Sequence, residues 1–147
     1  MTERLSITEG RKLVNANALE SGVLSAVCDY LDAQRIPYAR TDATEAFNRK
    51  GQRVCRVDRS WPDLTACAPS CGGLMVGIEV KRAEGGRLSF EQAVKLEELH
   101  KAGALVVVAR SVDEVIELLK TKRTSAATIA EIVAALKKGP KMKRGRR

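Results

Sequence analysis

The sequence predicts an α/β fold, a mixed central sheet flanked by helices, on three observations. Residues 104–109, ALVVVA, are an uninterrupted apolar run, the signature of a strand covered on both faces with a parallel neighbour beside it. Helical and strand-like patterns alternate rather than segregate, in the order α-β-β-β-α-β-α-α. A chain of 147 residues has room for one substantial core.

Each element has a local reason. Residues 1–16 are polar and unpatterned and read as an N-terminal extension. Leu19, Val23, Leu24, Val27, Tyr30 and Leu31 then recur at helical spacing behind Asn17 as cap, predicting a helix over 17–34 that Pro37 excludes from continuing. A short extended stretch at 38–41 leads into a polar segment, 42–52, that reads as a mobile loop. Strands are expected over 54–57, 63–67 and 74–81, punctuated by Pro62, Pro69, Gly72 and Gly73, as a meander. Ser89 with Gln92 forms a capping box for a helix ending at Gly103, and Ser111 with Glu114 a second one for a helix that turns Val115, Ile116 and Leu119 inward. A last helix over 125–138 presents Ile129, Ile132, Val133 and Leu136 on one face and stops at Gly139-Pro140. The chain thus divides into the extension, a folded body over 17–120, a C-terminal helix within 121–138 and a basic tail over 139–147.

Lys and Arg total 26 against 18 acids, a net charge of +8, and seven of those charges are Lys137, Lys138, Lys141, Lys143, Arg144, Arg146 and Arg147. Such a tail attracts polyanions, above all nucleic acid. Aromatics at 3% are too few to line a long single-strand stacking channel. No apolar run spans a bilayer and the N-terminus has no signal-peptide pattern, so a cytoplasmic location is expected. Cys28, Cys55, Cys67 and Cys71 then read more plainly as reduced thiols than as a zinc site, for which the C-x3-C pair Cys67 and Cys71 would have to recruit Cys55, distant Cys28 or lone His100. No Gly-rich phosphate loop supports a nucleotide hydrolase.

The chemistry concentrates in strand 74–81, where Leu74, Val76, Ile78 and Val80 point to one side and Met75, Gly77, Glu79 and Lys81 to the other. If the strand that begins at Asp63 pairs antiparallel with it, Asp63 arrives beside Glu79 and Lys81. Two carboxylates beside a lysine suit a hard divalent cation, Mg2+ or Mn2+, and the hydrolysis of phosphodiesters. Glu20 sits one turn ahead of Val23 and Leu24 and offers a third carboxylate, while Gln92 shares a helix stripe with Leu96 and Leu99. Plainer readings stand beside these: a cross-strand ion pair for Glu79 and Lys81, a capping side chain for Gln92, and helix-dipole partners for Glu20 and His100.

Glu20, Pro62-Asp63, Glu79-Val80-Lys81 and Gln92 together resemble the PD-(D/E)xK nuclease superfamily. GIEVKRAEGGRLSFEQAVKLEELHKAGALVVVARSVDEV is similar to its VRR-NUC branch in the ExK motif, the Leu-Ser-x-x-Gln step and the apolar strand before a Ser-led helix. Trp61 departs from the glycine that commonly precedes Pro-Asp in that branch. The resemblance implies a restriction-endonuclease-like αβββαβ core over 17–120 with an added C-terminal helix and tail. It also implies a DNA endonuclease using Mg2+ or Mn2+, in which Asp63, Glu79 and the Val80 carbonyl bind the cation, Glu20 assists, and Lys81 and Gln92 complete the catalytic site. Small stand-alone members, many of them phage-encoded, are homodimers linked to branched DNA such as the Holliday junction. Arg49, Lys50, Arg53, Arg56, Arg59 and Arg82 join the tail as expected DNA contacts. A non-catalytic DNA-binding module that retains the nuclease fold is the other reading left open.

Overall fold

The computed structural model describes residues 19–42, 46–54 and 58–142. In chain order these form α1 (Glu20–Ala33), β1 (Tyr38–Arg40), β2 (Ala46–Phe47), β3 (Arg53–Val54), β4 (Leu64–Ala68), a 3-10 turn (Pro69–Cys71), β5 (Leu74–Val80), α2 (Phe90–Lys101), β6 (Leu105–Ala109), α3 (Val112–Thr121) and α4 (Ala126–Lys138). The main sheet runs β1-β4-β5-β6; its first three strands are antiparallel and β6 is parallel to β5.

Helices cover both faces, and strand alternation explains which. Val76, Ile78 and Val80 of β5, with Leu105, Val107 and Ala109 of β6, pack against Val23, Val27 and Leu31 of α1 and Val115, Leu118 and Leu119 of α3. Val106 and Val108 face the other way, onto Ala93 and Leu96 of α2 and Ile132 and Ala135 of α4. All five β6 residues are buried, as the apolar run predicts. Each large side chain so placed contributes roughly 1.5–3 kcal/mol. An edge strand leaves N–H groups open to pairing with another chain. Here the N–H groups of Val106 and Val108 donate instead to Thr124 Oγ1 and Thr128 Oγ1, at 3.1 and 3.3 Å.

Several sequence expectations are corrected. Within 42–52 lies a strand, β2, which forms a separate two-stranded sheet with β3. Val54, which begins the strand expected over 54–57, pairs with Ala46 rather than with the meander, and residues 55–57 lie outside the described ones. The extended stretch expected over 38–41 is β1 and takes that place, paired Tyr38 to Ala66, because even a short segment can complete the hydrogen bonds of an edge. α1 begins at Glu20, with Leu19 at the cap position and no side-chain cap; Asn17 lies outside the described residues. Ser111 makes no capping bond, and Glu114 accepts the Arg110 N–H at 3.2 Å instead. Ile116 is only half-buried while Leu118 is buried. In α4 the buried stripe is Thr128, Ile132 and Ala135, leaving Ile129 and Val133 about 40% exposed. The bond from Val108 to Thr128 turns that face of the helix to the sheet. Among the described residues no helix is long and apolar enough to cross a membrane.

Candidate active site

The site begins at the turn into β4. Pro62 is fully buried against β5, and a Cβ at Gly77 would stand 3.2 Å from its Cγ, so the absence of a side chain there lets the proline pack closely on the strand. Thr41 anchors the turn from β1: its hydroxyl donates to the Pro62 carbonyl at 2.7 Å, and its N–H to the Asp63 carbonyl at 2.8 Å. Trp61, just before Pro62, is half-buried. Its indole N–H donates to Thr65 Oγ1 at 2.9 Å, and the Lys95 ammonium lies 5.6 Å over its ring.

Because Leu64 pairs with Ile78, Asp63 arrives at the end of β5. Its Oδ2 accepts the Val80 N–H at 2.7 Å. Glu79 is 1% exposed, on the face it shares with Val108. Its Oε1 accepts from Gln92 Nε2 at 2.6 Å and lies 3.1 Å from Lys81 Nζ. Lys81, 8% exposed, also donates to Gln92 Oε1 at 3.1 Å. The same Gln92 oxygen accepts the Ser89 N–H, and Ser89 Oγ accepts the Gln92 N–H, so the capping box is complete. Gln92 is thus both the helix cap and a bridge between Glu79 and Lys81.

Burial is the main cause that raises the Glu79 carboxyl from 4.5 to about 7; the Asp63 charge adds to it and Lys81 opposes it. Asp63 is raised as well, first by burial, against the Val80 N–H and Lys81. Glu20 pushes both acids upward. Its side chain is exposed in the first turn of α1, contrary to the inward placement expected, and it acts through its field. Asp42 adds to the crowding at Asp63. Burial and mutual repulsion make the ionised form of these carboxyls costly, a cost that a hard cation would offset, so the oxygen donors fit Mg2+ or Mn2+. Among the described residues no three His, Cys, Asp or Glu side chains converge as a ready-made cage.

Sequence reasoning missed two supports of this site. The Arg110 guanidinium makes two bonds to Glu131 of α4, at 2.8 and 2.6 Å, and donates to the Gly86 carbonyl in the loop between Lys81 and Ser89. A Cβ on Gly86 would stand 3.2 Å from Lys81 Cβ and from Arg82 Cγ, so this loop folds tightly on the lysine. Thr41 is the second. Neither carries a motif, since each acts across more than twenty residues of chain.

The basic residues spread more widely. Arg49 and Lys50 are exposed at the β2–β3 turn, Arg59 is exposed before Pro62, and Arg53 lies in β3. Arg82 is exposed and its guanidinium lies along Gly85. Lys137, Lys138 and Lys141 are exposed at and beyond the end of α4, whereas Arg56, Lys143, Arg144, Arg146 and Arg147 lie outside the described residues. Cys28, Cys67 and Cys71 are free thiols; Cys67 donates to the Gly73 carbonyl and Cys71 to that of Leu119, while Cys55 lies outside the described residues. His100 is exposed in the last turn of α2. Comparison of the chain with protein-family models, curated proteins and solved structures finds no match.

Proposed function

We propose that this chain is a metal-dependent DNA endonuclease of the PD-(D/E)xK type, near the VRR-NUC branch, whose sheet and helices form a restriction-endonuclease-like core. One observation carries the reading. Glu79 and Lys81, 1% and 8% exposed, meet Gln92 at the strand end where Asp63 enters. Burying an ion pair beside further acids costs a fold stability, and such expense is characteristic of functional sites.

Asp63, Glu79 and the Val80 carbonyl would hold Mg2+ or Mn2+, with Glu20 adding charge from α1. A bound cation supplies charge neutralisation at the scissile phosphate and lowers the pKa of the attacking water. The residues themselves position and stabilise. Lys81 aims its ammonium from between Glu79 and Gln92, where it orients the nucleophile and stabilises developing negative charge. Gln92 holds both neighbours in place, and the Val80 N–H fixes the Asp63 carboxylate. The basic tail and exposed arginines supply affinity for the phosphate backbone. The substrate proposed is branched DNA cut by a homodimer inside a bacterial or phage-infected cell; exposed Ile129 and Val133 offer an apolar patch to a second copy.

The non-catalytic reading draws on a different observation: Asp63 and Glu79 already have hydrogen-bond partners within the chain. Cleavage of labelled four-way junction, flap, duplex and single-stranded DNA in Mg2+, Mn2+ or EDTA separates the two. The enzyme cuts only with metal, and Asp63→Ala binds without cutting. Intact DNA under every metal condition, with the protein folded and DNA bound, favours the binding module.

A further inference from the structure

Beside the catalytic cluster a groove of about 860 Å³ runs between the start of α2 and the C-terminal half of α4. Gln92 belongs to both, lining the groove while bonding to Glu79 and Lys81. The other side chains have a definite arrangement. Ala134 and Ala135 provide an apolar wall with half-buried Phe90 across from them, and Arg87, Lys138 and Lys141 are exposed around the rim. Two acids also line it, Glu91 and Glu131, but Glu131 is already neutralised by Arg110 at 2.6 Å. Three cations therefore face one unmatched acid, along a cleft that reaches Gln92, the hydrogen-bond partner of Glu79 and Lys81.

Small apolar side chains and one aromatic ring between basic rims suit a polynucleotide strand, whose phosphates take the cations and whose bases or sugars take the apolar wall. A protein or peptide partner with an acidic face would not need the continuity with Gln92. We propose that this groove seats the single-stranded DNA segment flanking the scissile phosphate, with Arg87 and Lys138 each holding one phosphate. The inference rests on the nuclease reading for its direction, and the groove adds Arg87 and Phe90 to the contacts expected from sequence.

The test is fluorescence-anisotropy binding of labelled single-stranded DNA to the full chain in EDTA, across a salt series, with cleavage assayed separately in Mg2+. The Arg87→Gln/Lys138→Gln variant should bind on the order of tenfold more weakly near 0.1 M salt and lower the slope of log K against log salt by about 1.4, the share of two phosphates. Lys101→Gln/Lys120→Gln, which removes two exposed charges outside the groove, should leave the slope unchanged. Circular dichroism of each variant reports that its helices persist. Equal slopes for wild type and the groove variant overturn the proposal, even if the enzyme cuts DNA. A lowered slope without metal-dependent cleavage keeps the groove and removes the nuclease reading. A wild type that binds no DNA removes both.

Discussion

Replacing Glu79 by Gln should stabilise this protein at alkaline pH. In an unfolded chain a glutamate loses its proton near 4.5, whereas in the fold burial and the Asp63 charge hold Glu79 up to about 7. Ionisation therefore favours the unfolded chain increasingly as pH rises through that interval. The penalty is small below the unfolded value and complete above the folded one. With each pKa step worth about 1.4 kcal/mol, the full penalty is about 3 kcal/mol. Glutamine keeps a carbonyl oxygen for Lys81 and Gln92 but cannot ionise. In urea denaturation with EDTA at about pH 8, Glu79→Gln should be more stable than wild type by about 3 kcal/mol, on the order of 10 °C in Tm; near pH 4.5 the gap should shrink to within about 0.5 kcal/mol. If Glu79 helps hold the proposed cation, millimolar Mg2+ should then raise the wild type and not the variant, since a cation bound by the folded chain alone stabilises it. A variant no more stable at pH 8, or a gap independent of pH, would mean that Glu79 ionises in the fold as readily as in the unfolded chain.

Other perturbations follow from the same contacts. Gln92→Glu keeps a residue competent for the capping box but replaces the 2.6 Å donor to Glu79 with a like charge, so both Tm at about pH 8 and cleavage should fall, and the loss of Tm should shrink toward pH 4.5. Gly77→Ala brings a Cβ to 3.2 Å from Pro62; chemical denaturation should show a loss of about 1–3 kcal/mol, with cleavage falling as the Asp63 turn shifts. Thr128→Val leaves the buried Val108 N–H without its acceptor and should cost about 1–3 kcal/mol by the same assay. If Ile129 and Val133 meet a second copy, Val133→Glu should convert a dimer to monomer in analytical ultracentrifugation.

What was legible in the sequence followed from periodicity and short-range chemistry. The run at 104–109 specified a buried parallel strand, and alternation along 74–81 put Glu79 and Lys81 on one face, away from Val76, Ile78 and Val80. Turn residues around Pro69 and Gly72 made β4 and β5 antiparallel, and with that register Asp63 had only one place to go. Illegible were contacts set by tertiary geometry. The extended stretch expected over 38–41 is β1, but nothing local marks it as the edge that pairs with β4, because its partners Leu64–Ala66 lie more than twenty residues further along the chain. The rotation of α4 follows from Thr128 reaching a strand edge, which hydrophobic spacing alone placed on the wrong flank. Arg110 joins Gly86 to Glu131 through a single guanidinium, and such a clamp leaves no pattern in the chain.

The most direct measurement is single-turnover cleavage of a labelled four-way junction in Mg2+ by wild type and Lys81→Ala, with binding measured in EDTA. The ammonium held between Glu79 and Gln92 should contribute on the order of 10²–10³ to the rate. Lys81→Ala should lose that rate with its DNA binding intact, and EDTA should abolish all cutting by the wild type. Equal rates for the two proteins, or cutting that survives EDTA, would contradict the proposed mechanism.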